Sequence, residues 1–279
     1  MTESASEFKH DPRKLSKAYF TLAKRWWGAA LLCKLILIAV GALAVWFSVL
    51  SRLTPFVVFI LTIVSECLVW RSDKLKGTAE ELLRKLDFRD SLGWEISKVE
   101  LSDVLARTPA RLRARITAED LRGSYFASGD ELGPRRAVQN IQESAWWSKH
   151  LSEAMGRYLF IFTVASSVGS LFILLVSVGT VKSFDVLSGI GRVVTAVLML
   201  ILSLGSIRLT LGYYDFSRKA QRVEERAAEL LRYGSNEIEV VKLYNEYHLG
   251  RAVAPLIPDR IWKWNEKHLN ELWKDYRIE

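Results

Sequence analysis

The sequence predicts an all-α membrane protein: four transmembrane helices arranged as two hairpins, with helical extensions on the cytoplasmic side. Three observations carry this. The apolar residues of the 279-residue chain are gathered into a few long runs, although its mean hydropathy is only +0.10. Those runs approach the roughly 20 residues that a bilayer crossing requires. Lysine and arginine, 39 against 31 acidic residues, crowd into the segments between and beyond the runs.

The first run, Trp26–Leu50, carries one charge, Lys34, close enough to its end to snorkel toward the headgroups. Ser51–Leu53 follow as a short turn, and Thr54–Trp70 returns, flanked by a tryptophan and an arginine that suit an interface. A third run covers Tyr158–Gly179 and a fourth runs from Val193 to Ile207 or Tyr213, with Arg208 near its cytoplasmic end. The first run is too long for a signal-peptide core and has no small-residue cleavage pattern after it, so the N-terminal segment is expected to stay attached.

Orientation follows from the cations. Residues 1–25 hold six Lys and Arg, 71–156 hold fifteen and 214–279 hold twelve, against one in the first short loop and two in 180–192. The positive-inside rule therefore places both termini and the long middle segment in the cytoplasm. The resulting organisation is a cytoplasmic segment 1–25, hairpin 26–70, cytoplasmic helical segment 71–157, hairpin 158–213 and cytoplasmic helices 214–279. With the charge explained by topology, neither DNA nor RNA is expected as a partner. Cys33 and Cys67 both fall inside spans near the reducing face and are expected as thiols.

Beyond the second span, Leu75, Ala79, Leu82, Leu83 and Leu86 recur at helical spacing up to Gly93, so the membrane helix should continue into the cytoplasm. Residues 216–234 do the same after the fourth span. TAEELLR at 78–84 matches RAAELLR at 226–232, which suggests an internal repeat of two spans plus a helix; chance similarity between two Leu/Glu-rich helices is the other reading. SKVE at 97–100, TAED at 117–120 and Pro109 mark further helix starts. Residues 135–156 form a polar helix leading directly into the third span, with Trp146 and Trp147 expected near the headgroups. Pro258 and Asp259 open a last helix whose Trp262, Leu269, Leu272, Trp273 and Tyr276 make one apolar face, to be covered by the cytoplasmic region or the bilayer surface.

The parts of an enzyme are missing from this pattern. The lone G-x-G, Gly189 to Gly191, is expected in an outer loop rather than after a strand. His10, His150, His248 and His268 are scattered and no cysteine is near one, so no metal or other cofactor is expected. The carboxylate pairs Glu80/Glu81 and Glu224/Glu225 read as solvated faces of charge-mixed helices.

Two groups of residues could carry function. In the membrane, Glu66 reads as a partner of Lys34 or as a pore-lining charge, Arg208 as a snorkelling or path-lining cation, and Gly169, Ser170 and Ser177 as small residues for helix packing or a wet path. In the cytoplasm, Arg111, Arg113, Arg115, Arg122, Arg135 and Arg136 surround Tyr125 and Phe126, a cluster with the forks for phosphate and a ring for a base. Anionic lipid is the competing partner for the same arginines.

SDKLKGTAEELLRKLDFRDSLGW at 72–94, the YF…GP-RR…NIQESAWWSKHL region at 125–151 and the tail YNEYHLGRAVAPLIPDRIWKWNEKHLNELW at 244–273, with two hairpins at this spacing, carry a family resemblance. The chain resembles the SMODS-associated four-transmembrane pore-forming effectors of CBASS-type cyclic-oligonucleotide antiphage systems, and more loosely their two-span relatives. The resemblance implies a bacterial inner-membrane effector that oligomerises or rearranges on a cyclic-nucleotide-linked signal, permeabilises the membrane and arrests the infected cell. The implied partners are the bilayer, further copies of the chain, and a cyclic oligonucleotide or a protein that senses it. The alternative is a non-conducting membrane anchor holding a soluble partner.

Overall fold

The structure, a computed structural model, describes residues 11–44, 47–110, 112–113, 126, 128–203 and 205–278. Every regular element among them is a helix: α1 (Pro12–Leu43), α2 (Ser48–Leu92), α3 (Lys98–Arg107), α4 (Pro134–Thr180), α5 (Phe184–Ser203), α6 (Ser206–Tyr233), α7 (Glu237–Val253) and α8 (Asp259–Ile278). At 1.5 Å per residue the 45-residue α2 and 47-residue α4 are each about 70 Å long. Among the described residues these two contain stretches long and apolar enough to cross a membrane, and only 6% of each stretch is buried inside the protein. Phe59 and Phe172, like most of their neighbours there, face outward. The core helix of a soluble protein would hide such residues, so the outward face marks membrane character.

α1 and α2 lie antiparallel, held close by small residues at seven-residue intervals. Ser16 donates its hydroxyl to the Ala79 carbonyl (3.0 Å), Ser72 to the Ala23 carbonyl (2.9 Å) and Ser65 to the Ala30 carbonyl (3.3 Å). All six residues are buried. An alanine opposite each serine brings the backbones near enough for a hydroxyl to reach across, and the step of seven keeps the seam on one stripe. Their turn differs from the expected one. It lies between Leu43 and Ser48, not at 51–53, and so divides the apolar length into 26–43 and 48–70 rather than into a long run and a short one. The first piece is then nearer the length that a bilayer crossing requires.

α4 and α6 repeat the scheme. Val138, Ala145 and Ser152 on α4 and Tyr213, Ala220 and Ala227 on α6 are fully buried at the same interval of seven, and Ser217 donates to the Lys149 carbonyl (3.0 Å). The α6 row Tyr213, Ala220, Ala227 stands 148 residues after the α2 row Ser65, Ser72, Ala79, and RAAELLR at 226 stands the same 148 after TAEELLR at 78. The two motif copies therefore occupy equivalent faces of equivalent helices. α5 packs on both α4 and α1 and so joins the apolar halves of the two hairpins.

Three further expectations change. The helix of the fourth apolar run, α5, starts at Phe184, nine residues before that run, so Gly189 and Gly191 lie within it and not in a loop. The chain breaks at Gly205, whose φ of +60° is cheap only for glycine, so α6 starts a new helix instead of continuing α5. Ser97 precedes α3 but makes no side-chain cap. By contrast α2 does run unbroken to Gly93, which closes it at φ +77°, and α4 runs unbroken from Pro134 at its first turn.

α8 packs antiparallel along the polar half of α4. Tyr158 meets Trp264 edge to face and Gln142 donates to the Tyr276 hydroxyl (3.1 Å), so α4 covers Leu269 and Trp273 of the α8 face and leaves Trp262, Leu272 and Tyr276 exposed. Trp146 accordingly is no headgroup residue. It is buried against Trp273, with ring centroids 5.1 Å apart, and sits about 18 Å along α4 from Tyr158.

Candidate functional site

α7 is the element on which the polar half of the molecule converges. Its start is capped by Asn236, whose side chain accepts from the Glu239 N–H (2.9 Å), with Glu237 and Glu239 in the first turn and Arg251 in the last, both suited to the helix dipole. One broad face is apolar: Val240, Leu243, Tyr244 and Tyr247 bury against Ala137, Val138, Ile141 and Ala145 of α4 and Phe216, Val223 and Ala227 of α6. Gly250 lies against α6, where a Cβ would make ordinary contact with Lys219 at 3.5 Å and the Phe216 ring at 3.7 Å. Where α7 ends, Pro255 presses on Gly212 and the Tyr213 hydroxyl donates to the Leu256 carbonyl (2.6 Å). α7 is thus anchored to the second hairpin largely by apolar packing.

Toward α2 the chemistry is different. Four levels of polar contact run down the helix pair. At the first, Asn140 donates to Ser91 Oγ (2.8 Å), Ser91 meets the Tyr244 hydroxyl (2.8 Å) and Tyr244 meets the Ala137 carbonyl (3.0 Å). The tyrosine has one proton, and the carbonyl can only accept it, so Ser91 is the donor to Tyr244. At the second, His248 Nε2 lies 3.3 Å from Asp87 Oδ2. At the third, Arg251 Nε lies 3.1 Å from Glu80, with its guanidinium 5.6 Å above the Phe20 ring. At the fourth, Lys76 Nζ donates to the carbonyls of Arg251 (3.2 Å), Ala252 (2.8 Å) and Ala254, closing the negative end of α7. Lys76, Glu80, Asp87 and Ser91 are all buried. Burial holds the Lys76 ammonium below the ordinary lysine range; Glu80 pulls it back up and Arg251 presses it further down. Burial likewise raises the Tyr244 and Tyr247 phenols.

Both His248 ring nitrogens, Glu80 Oε2 and Asn140 Oδ1 are buried without a well-formed hydrogen bond. The ladder is therefore incompletely satisfied. A seam of this kind aligns two helices specifically but adds little net stability, because desolvating its charges offsets most of what their attraction returns. The two sides of α7 differ in kind: toward α4 and α6 it packs a hydrophobic core, with the Tyr244 and Tyr247 hydroxyls bonded to α4 and an exposed Arg226–Glu246 pair, whereas toward α2 it adds buried charged pairs to the stacking of Phe88 on Tyr244.

The residues singled out in the sequence are distributed differently. Arg111, Arg115, Arg122 and Tyr125 lie outside the described residues. Arg113 is exposed in the helical stretch that Pro109 opens, its N–H donating to the Pro109 carbonyl (3.0 Å). Arg135 Nε is 3.3 Å from Asp130 and Arg136 donates to the Asp130 carbonyl (2.9 Å), so both serve one tight turn ahead of α4. Glu66 lies 3.2 Å from Lys34 and still exposes most of its side chain. Ser170 and Ser177 are buried, the latter donating to its own helix at Ile173 (2.6 Å), while Gly169 has open space beside it. Arg208 is exposed at the start of α6.

The ladder residues were not chosen from the sequence. Glu80 and Glu224 belonged to pairs read as solvated faces, yet each is buried with a cation, Glu80 with Arg251 and Glu224 with Lys149 (2.6 Å), and only Glu81 and Glu225 face out. The available signal was spacing: 76, 80, 87 and 91 follow one another by four, seven and four, a polar stripe beside the leucine stripe of the same helix. No group of three or more His, Cys, Asp or Glu among the described residues is arranged to hold a metal ion. No family model, curated protein or solved structure matches this chain.

Proposed function

We propose that this chain is a membrane effector held closed by the α2–α7 ladder: a four-span protein of the bacterial inner membrane, both termini cytoplasmic, that opens or assembles on a cyclic-nucleotide-linked signal and permeabilises the membrane. α1 and α5 supply the two spans beyond α2 and α4. The single observation that carries the gating reading is the asymmetry of α7, whose hydrophobic residues pack chiefly on the second hairpin and whose buried pairs His248–Asp87 and Arg251–Glu80 reach the first. A signal that draws α7 from α2 would free the two hairpins from one another on the cytoplasmic side while leaving each hairpin's own seven-residue seam intact. The antiphage context rests on the family resemblance of the sequence.

The second reading, a non-conducting anchor for a soluble partner, is favoured by one observation: Ser170 and Ser177 are buried within the protomer, so the small-residue stripe of α4 is used for packing. Conductance separates the two. Cells carrying this protein together with a cyclic-oligonucleotide synthase should lose their membrane potential before growth stops. Cells that stop growing with a normal potential would leave the anchor reading in place.

A further inference from the structure

We propose that Arg71 and Lys74, on the exposed side of the first hairpin where its apolar half begins, hold the phosphate of an anionic phospholipid. Trp26 opens the first apolar run and Trp70 closes the second, and on the antiparallel pair the two indoles flank the same level. The Arg71 guanidinium lies 5.0 Å from the centre of the Trp26 ring and the Lys74 ammonium 4.0 Å from that of Trp70. Both cations are exposed and one helical turn apart, and exposed Arg25 stands beside them on α1.

The partners of these cations distinguish them from others nearby. Lys24 is neutralised by Asp259, Lys34 by Glu66, and Lys85 by Glu81 and Glu100. Arg71 and Lys74 rest on aromatic faces, which hold a cation in place and leave its charge and its edge N–H donors available. The acid on this turn, Asp73, contributes its field to Lys76. Side chains on a helix lean toward its N-terminus, and for α2 that direction is the apolar half, so Lys74 is carried toward the depth at which lipid phosphates lie. Two preset cations a turn apart beside two interfacial indoles fit a phosphodiester in the headgroup layer.

The test uses the full chain, reconstituted in phosphatidylcholine bilayers with and without phosphatidylglycerol, and measures retained lipid by mass spectrometry after delipidation. The parent should retain phosphatidylglycerol preferentially, and R71Q/K74Q should lose about tenfold or more of that preference. The charge-conserving R71K/K74R should keep it. So should R232Q/K242Q, which removes two exposed cations remote from the apolar half. Equal losses in R71Q/K74Q and R232Q/K242Q would reduce the effect to diffuse attraction and overturn the proposal, as would full retention by R71Q/K74Q. Displacement of the retained lipid by millimolar inorganic phosphate would assign the site to a soluble phosphate instead and would also overturn it. W70L, which removes the platform without altering charge, should weaken retention; unchanged retention would contradict the role given to the indole.

Discussion

His248 Nε2 lies 3.3 Å from Asp87 Oδ2, and both side chains are only 4% exposed. An imidazole and a carboxylate excluded from water thus face one another where α2 meets α7. Removing either takes the nearest polar neighbour from a group that water does not reach, at about 1–3 kcal/mol. D87A and H248A should each lower the unfolding midpoint of the detergent-solubilised protein, and the double variant should cost less than the two single losses added together. Strict additivity in that cycle would show that the two side chains do not interact.

The Glu80–Arg251 level should show the same coupling more strongly. E80A takes the carboxylate from a guanidinium that is largely shielded from water and should destabilise by about 3–5 kcal/mol, whereas E80A/R251A also removes the guanidinium charge and should recover part of that loss. Chemical denaturation in a fixed detergent distinguishes the outcomes. A double variant no more stable than E80A would mean that Arg251 is hydrated without its partner.

Lys76 gives the ladder a direction with pH. Its ammonium is held below the ordinary value of 10.5, so the docked helix pair binds its proton less tightly than the separated pair does. The cost of burying that charge is fully present at pH values below the depressed pKa, and it is relieved as pH rises from there toward 10.5. Stability relative to K76R, whose guanidinium keeps its proton, should therefore rise on the alkaline side. Midpoints measured from pH 8 to 10 for both proteins provide the comparison, and parallel curves would contradict it.

Much of this architecture was legible. The unbroken passage of α2 to Gly93 followed from leucine spacing and a terminal glycine, and that of α4 into its apolar stretch from a polar helix at 135–156 with no break before the third run, all local signals. The first turn was misplaced because Ala44–Leu50 is as apolar as the helix before it, and hydropathy alone cannot mark a turn within continuous apolar sequence. The ladder was hidden for another reason. Glu80 differs from Glu81 only in which way it faces, and that depends on α7, more than 150 residues further along the chain. Lys34 with Glu66 could be paired from sequence because a hairpin fixes its own register, but no local rule sets α2 against α7.

The seven-residue seam of α1 and α2 predicts unequal responses to substitution. S72A removes one hydroxyl bond and should cost about 1 kcal/mol. A23L places a branched side chain where the helices approach most closely and should cost several times as much, with loss of the hairpin register. Cross-linking between cysteines engineered on α1 and α2 reports the register. A23L that leaves the cross-linking pattern unchanged would contradict close backbone approach at this level.

Topology has its own check. A cysteine at Ser183, between α4 and α5, should react with an impermeant thiol reagent added to intact cells, while cysteines at Ser128 and Asn236 should not. Labelling at Ser128 from outside would reverse the assigned orientation.

The central claim is that docking of α2 on α7 keeps the membrane sealed. The most direct test is the membrane potential of cells expressing E80Q/D87N, in which two levels of the ladder lose their charge while the apolar anchor of α7 on α4 and α6 is untouched. Provided the variant inserts to the same level as the parent, the account predicts spontaneous depolarisation without any synthase present, and a normal potential for the parent. A normal potential in cells whose E80Q/D87N protein is inserted and measurably undocked would contradict it.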